Sequence, residues 1–148
     1  MTDPRSRWSD PEVARQILES THVWAVVGCS PDPMRASYGV SRTLMGYGYE
    51  MIPIYPRETT IHGIATLPDL ATAAAARPAD SPIEVVDIFR ASHRAGAHVD
   101  EAIAIGAKAV WLQLDVWDED AAERADAAGL LVVMDRCPAI DYPRLGPA

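Results

Sequence analysis

Five short runs of mainly apolar, strand-favouring residues recur along the chain. Continuous runs of this kind are typical of strands that are buried on both faces, as in the interior of a parallel sheet. The predicted strands cover residues 23–28, 51–55, 84–89, 107–112 and 130–134. Pro53 has no N–H group to donate, which predicts that the second strand lies at a sheet edge or is locally irregular.

Apolar positions at helical spacing fill the segments between these runs. Asp10 and Pro11 are typical of an N-cap and a first helical residue, so a helix precedes the first strand. The predicted helices cover residues 9–20, 38–47, 68–76, 93–105 and 119–128, with C-terminal caps at Gly46 or Gly48, Gly106 and Gly129. Helices that alternate with buried strands predict an α/β fold: a doubly wound, mostly parallel five-stranded sheet with helices on both faces, in three layers.

Length and composition favour a single globular domain outside the membrane. A chain of 148 residues buries roughly 70% of its unfolded surface, which is enough for one self-sufficient core. No apolar run approaches the roughly 18 residues of a membrane span. Residues 1–5 lack the apolar stretch of a signal peptide. We therefore expect one domain over residues 1–148, in the cytoplasm and without a membrane partner.

The formal net charge of −8 argues against an extended nucleic-acid interface, which needs clustered Lys and Arg. Any anion must then be bound by a local group of cations. Cys29 and Cys137 lie in no metal-ligand spacing and are expected to be small buried side chains. No metal site is predicted.

Arginine residues follow the predicted strands or their first turn, at the rim where open parallel sheets bind ligands. Guanidinium groups bind phosphate oxygens through paired hydrogen bonds, so several of them favour a ligand with more than one phosphate. Pairing with carboxylates such as Asp32, Glu58 or Asp135 is the alternative for each. The four are Arg35, Arg57, Arg90 and Arg136.

The turn after the first strand offers further groups for an anion. Ser30 and Ser37 stand near the start of a helix, where the helix dipole favours negative charge, although Ser37 as a simple N-cap is the alternative. Gly28 alone does not make the G-x-G-x-x-G pattern of NAD sites. Arg57 stands where NAD-binding folds place an acidic residue, which favours a phosphorylated ribose and leaves NADP and coenzyme A as candidates.

Catalytic machinery is not evident in the sequence. The four histidines are scattered, and none stands with a nucleophile and an acidic partner. Ile88 and Phe89 either pack against an adenine or simply close the core. We predict no catalytic residue, and hence no enzyme activity of the chain alone.

The rim motifs resemble those of small stand-alone CoA-binding proteins, which are similar to the N-terminal CoA-binding domain of the succinyl-CoA synthetase alpha subunit. The resemblance covers residues from about 12 to about 145. Its motifs occur in order as 26–33 (VVGCSPDP), Ser37–Tyr38, 87–90 (DIFR), 100–114 (DEAIAIGAKAVWLQL) and 133–138 (VMDRCP).

The resemblance implies a Rossmann-like CoA-binding domain without the second synthetase domain, which carries the phosphorylated histidine. By analogy, the first turn with Arg35 meets the pyrophosphate or pantetheine, Arg57 meets a phosphate, and Ile88 and Phe89 meet the adenine. The candidate ligand-binding residues are Gly28, Cys29, Ser30, Arg35, Ser37, Tyr55, Pro56, Arg57, Ile88, Phe89, Arg90, Gln113 and Arg136.

Three positions depart from the family pattern. Cys29 replaces a small residue, Tyr55 replaces a polar residue such as asparagine, and Asp115 replaces glycine. Cys29 brings a thiol to the predicted turn, where a mixed disulfide with CoA is a further hypothesis. Asp115 adds negative charge beside the predicted crevice.

The sequence thus predicts a CoA or acyl-CoA binding module, such as a carrier or sensor, that is a monomer or a homo-oligomer. An NADP-dependent oxidoreductase and an acyl-CoA enzyme that needs a partner are the alternatives from the enzyme class. A regulatory interaction module with a vestigial pocket is the third.

Overall fold

The computed structural model describes residues 3–146 and contains seven helices and seven strands within that range. The strands are β1 (Val23–Val27), β2 (Glu50–Ile54), β3 (Thr60–Ile61), β4 (Ile64–Ala65), β5 (Val85–Ile88), β6 (Ala109–Leu112) and β7 (Leu131–Val133). The helices are α1 (Pro4–Trp8), α2 (Pro11–Ser20), α3 (Ala36–Gly46), α4 (Leu70–Ala75), α5 (Ser92–Ala104), α6 (Glu119–Ala127) and α7 (Pro138–Leu145).

The main sheet has five parallel strands in the order β2-β1-β5-β6-β7, which confirms the doubly wound α/β fold. From β1 the chain runs to β2 on one side, and β5 later pairs with β1 on the other. The strand order therefore reverses between β1 and β5. Pro53 lies in β2 at the sheet edge, as its missing N–H predicts.

Helices cover both faces of the sheet and make three layers. Val86 and Ile88 face a core completed by α4, α5 and α6. Trp24, Val26 and Trp111 face the opposite core, which is completed by α2, α3 and α7. Successive strand residues point to opposite faces, so neighbours in sequence contribute to different cores.

Three elements were not predicted from the sequence. Helix α1 has only five residues, and the β3–β4 hairpin has only two residues in each strand. Both are too short for a recognisable periodic spacing of apolar residues. Helix α7 contains Pro143 in its interior, and this residue hides its helical pattern.

Capping side chains define where two of the helices begin. The Asp10 carboxylate accepts from Glu12 N and α2 begins at Pro11, which confirms the predicted N-cap and first helical residue. The Asp69 carboxylate accepts from Thr72 N, so α4 begins at Leu70 rather than at Pro68.

Residues 1–2 and 147–148, which belong to the predicted domain, lie outside the described residues, as does part of the N-terminus that was expected to lack a signal peptide. Among residues 3–146, none of the helices has the length and apolar character that crossing a membrane requires.

Candidate ligand-binding site

A cleft of about 570 Å³ opens beyond the carboxyl ends of β1, β5 and β6, where the strand order reverses. It contains Gly28, Ser30, Arg35, Ser37, Tyr55, Phe89, Arg90 and Gln113 from the predicted set. Ala36, Ala91, Leu114, Asp115 and Val116 complete its lining.

The turn after β1 approaches the turn after β5 so closely that only glycine fits. Gly28 has a φ of 78°, and a Cβ atom at this position would lie 2.5 Å from the carbonyl oxygen of Phe89. Its N–H donates to the carbonyl of Ile54 at 3.2 Å. Gly28 therefore joins the ends of three strands below the cleft.

Serine side chains order the rest of this turn. Ser30 N donates to Ser37 Oγ at 3.0 Å, and Asp32 N donates to Ser30 Oγ at 3.0 Å. Ser37 is not the N-cap of α3, because Arg35 occupies that position without a side-chain cap. No side chain caps the start of α3, and Ala36 and Ser37 in its first turn line the cleft.

Arg35 and Arg90 line the cleft, and neither forms an ion pair with any residue that the structure describes. Asp135, one of the carboxylates considered as a partner, pairs with Arg5 at 2.6 Å instead. The cleft therefore contains two guanidinium groups without an ion-pair partner among the described residues, and groups of this kind bind phosphate oxygens well.

Arg57 lies in an adjoining groove of about 290 Å³, which also contains Pro56, Glu58, Thr66 and Pro68. Tyr55 borders both the cleft and this groove. Thr66 Oγ1 donates to the Arg57 carbonyl at 2.8 Å and fixes the loop that carries the arginine. The cleft and the groove therefore meet at Tyr55.

Arg136 was predicted to bind ligand, and the structure gives it a different role. Its Nε and Nη2 donate to the Asp141 carboxylate at 2.7 and 3.0 Å, and its Nη1 donates to the Ser9 carbonyl at 3.1 Å. These bonds attach α7 to the end of β7. Asp141 belongs to α7, a helix that the sequence pattern did not reveal.

Cys29 and Ile88 also lie outside the cleft. Both side chains are fully buried, Cys29 in the core below α3 and Ile88 in the core on the opposite face. Burial raises the pKa of the Cys29 thiol, which opposes the thiolate that disulfide exchange with CoA requires. Phe89 lines the cleft and also packs against the core that contains Cys29, because strand alternation turns it away from Ile88.

The sequence matches the CoA binding domain family over residues 22–143. The chain belongs to this family. An uncharacterized protein of Bacillus subtilis (strain 168), YneT, is 31% identical to it over 123 residues, which are 83% of this chain and 87% of YneT.

Solved structures extend the comparison of this CoA binding domain. A hypothetical protein from Pyrococcus horikoshii OT3 is 33% identical, with a TM-score of 0.83 and coverage of 98% of this chain and 97% of that one. A dinucleotide-forming acetyl-coenzyme A synthetase 1 of Ca. Korarchaeum cryptofilum, in complex with phosphate and ADP, has a TM-score of 0.61 and 21% identity. It shares the fold over 88% of this chain and 26% of its own.

Two polar side chains of this CoA binding domain are buried, which the sequence did not predict. Asp87 on β5 is fully buried, and neither carboxylate oxygen has a hydrogen-bond partner among residues 3–146. Desolvation raises the pKa of Asp87 well above its usual value and favours the protonated acid. Gln113 is only 6% exposed, lines the cleft, and its Oε1 also lacks a partner in the described chain.

Residues 114–116 form a wall of the cleft that sequence reasoning did not assign as binding residues. Asp115 has a φ of 68°, its N–H donates to Asp135 Oδ1 at 2.7 Å, and its carbonyl accepts from Ser92 Oγ at 3.4 Å. In the sequence, Asp115 already attracted attention because it stands where the family pattern of the CoA binding domain has glycine.

Proposed function

We propose that the protein binds coenzyme A or a CoA thioester in the cleft between the turns after β1 and β5, as a carrier or sensor. The observation that carries this proposal is the placement of Arg35, Arg90 and Arg57 along one connected surface of an acidic protein. Membership of the CoA binding domain family supports it.

The three arginines bind the phosphate groups of the ligand. Arg35, Arg90 and the N–H groups at the start of α3 bind the pyrophosphate, where charge-assisted hydrogen bonds and the helix dipole act together. Arg57 in the adjoining groove binds the 3′-phosphate of the ribose. The half-buried rings of Tyr55 and Phe89 offer apolar surface to the adenine.

We propose further that the chain has no catalytic centre of its own. No histidine or cysteine belongs to the cleft lining found among residues 3–146. Burial raises the pKa of Cys29, the nearest thiol in sequence, and disfavours a nucleophilic thiolate. His62, another candidate, binds Ser41 Oγ and the Tyr38 carbonyl at 3.0 and 2.9 Å in a contact between the hairpin and α3.

Titration calorimetry with CoA, dephospho-CoA and NADP tests the assignment of Arg57. We expect CoA to bind more tightly than dephospho-CoA, because only CoA carries the 3′-phosphate. Arg57→Gln should weaken CoA binding by about tenfold, as expected for one partly exposed charge-assisted hydrogen bond, and leave dephospho-CoA binding nearly unchanged.

Arg144→Gln is the matched control, since Arg144 is an exposed arginine on α7 and does not line the cleft. It should leave the affinity for both ligands unaltered. Equal binding of CoA and dephospho-CoA by the wild-type protein would contradict the role of Arg57. Tighter binding of NADP than of CoA, or no binding of CoA, would refute the proposed function.

A further inference from the structure

We infer that Asp115 makes the cleft selective against CoA thioesters whose acyl group carries a carboxylate. The inference rests on the proposed function and narrows it to one class of ligand, CoA itself or its thioesters with uncharged acyl groups.

The charge of the cleft changes from one wall to the other. Arg35 lies on the α3 side, and Arg90 follows β5, whereas Asp115 stands on the wall that follows β6. The Asp115 side chain is exposed and forms no ion pair or hydrogen bond with residues 3–146. An unpaired carboxylate repels phosphates, so this wall faces a part of the ligand that bears no negative charge.

The direction of the ligand follows from the three arginines. If Arg57 binds the 3′-phosphate, the adenosine lies toward β2, at the edge of the sheet. The pyrophosphate then lies at the turn after β1. The pantetheine arm continues away from β2, across β5 toward the end of β6, and its thiol end reaches the wall formed by Gln113, Asp115 and their neighbours.

Gln113 adds an uncharged amide to the same wall. The residue is only 6% exposed and belongs to the cleft lining, and its Oε1 is buried without a partner among the described residues. A neutral amide lacks the charge with which the arginines attract phosphates, so this wall suits a ligand segment with neutral polar groups. The pantetheine arm, with two amide groups and a thiol, is such a segment.

The neighbours of Asp115 suit a short uncharged acyl group. Leu114 is 47% exposed and lines the cleft together with Val116. An alkyl acyl group can cover this apolar surface without desolvating a charge. An acyl group with a terminal carboxylate would instead lie beside the Asp115 carboxylate and would be repelled.

The Asp115 backbone is held in one place by the hydrogen bonds from its N–H to Asp135 and from Ser92 to its carbonyl. Asparagine tolerates the left-handed conformation that Asp115 adopts at φ 68°. Asp115→Asn therefore removes the charge and preserves the turn.

Titration calorimetry at low ionic strength with CoA, butyryl-CoA and succinyl-CoA tests the inference. The two thioesters have acyl chains of equal carbon number, and only succinyl carries a carboxylate. We expect the wild-type protein to bind butyryl-CoA roughly fivefold or more tightly than succinyl-CoA, which is the size expected for like charges in a partly solvated cleft. Asp115→Asn should reduce this ratio to within about twofold, chiefly by improving the affinity for succinyl-CoA.

Glu58→Gln is the matched control, because Glu58 lies in the groove beside Arg57 at the opposite end of the proposed ligand. It should leave the ratio of the two affinities unchanged. Equal affinities for both thioesters in the wild type, or an equal change of the ratio in both variants, would overturn the inference while CoA binding stands. Absence of binding by CoA itself would instead refute the proposed function and this inference with it.

Discussion

Gly28 is the residue on which the geometry of the cleft depends most directly. Its positive φ and the missing Cβ allow the turn after β1 to lie against the Phe89 carbonyl. The same approach brings Arg90 to the cleft, since the Arg90 Cδ would lie 3.2 Å from a Cβ at Gly28. Gly28 therefore constrains both the packing of the two turns and the shape of the cleft.

Gly28→Ala should lower the free energy of unfolding by about 2 kcal/mol or more. Alanine is disfavoured at the positive φ of this position, and its Cβ would clash with the Phe89 carbonyl oxygen. Urea unfolding followed by circular dichroism measures this loss. Titration with CoA should also show weaker binding, since the turn after β1 must move away from β5.

Gly39→Ala is the control at the same scale. Gly39 lies in α3, and a Cβ there meets no atom within 4 Å. Alanine should stabilise the helix by roughly 0.5–1 kcal/mol. If Gly28→Ala unfolded at the same urea concentration as the wild type, the close approach of the two turns would not constrain the fold.

At the scale of elements, α7 secures the end of the sheet behind the cleft. Trp111 Nε1 donates to the Arg136 carbonyl at 2.8 Å, and the Arg136 guanidinium binds Asp141 in α7 through two hydrogen bonds. The Asp141 side chain is only 7% exposed. This ion pair is therefore better shielded from solvent than the surface pairs of the molecule.

Asp141→Asn should lower the free energy of unfolding by about 2–3 kcal/mol, because it leaves the Arg136 charge half-buried without its partner. CoA affinity should stay within about twofold of the wild type, since neither residue lines the cleft. Asp100→Asn removes the exposed pair with Arg124 and should cost less than about 1 kcal/mol. Equal losses in urea unfolding for the two variants would show that α7 is not held by this pair.

The central strands β1, β5 and β6 were predictable from sequence, because every residue of these three strands is buried in the structure. The edge position of β2 was predictable from one residue, Pro53. The roles of Arg136 and Ile88 were not predictable in the same way. The role of Arg136 depends on its partner Asp141, which lies in a helix with an internal proline. The role of Ile88 depends on the face of β5 to which its side chain points, and both faces of this strand are apolar.

At the scale of the whole molecule, the negative net charge opposes the attraction of the arginines at the site for an anionic ligand. The chain carries a formal net charge of −8, whereas the cleft and its groove hold Arg35, Arg57 and Arg90. A polyanionic ligand is repelled at long range and attracted only when it comes close to the cleft. These two effects respond differently to salt, because the Debye length falls from about 30 Å at 0.01 M to about 8 Å at 0.15 M.

The association rate constant for CoA should therefore rise, by roughly twofold or more, as NaCl increases from about 0.01 to about 0.15 M. The dissociation rate constant should rise as well, since the arginine contacts are partly exposed to the same ions. Stopped-flow mixing with a fluorescent etheno-adenine CoA measures both constants. A steady fall of the association rate constant with salt would mean that the arginines steer the ligand from a distance and outweigh the acidic surface. With the expected rise, the acidic surface slows every polyanion alike, and selection among them is left to the contacts inside the cleft.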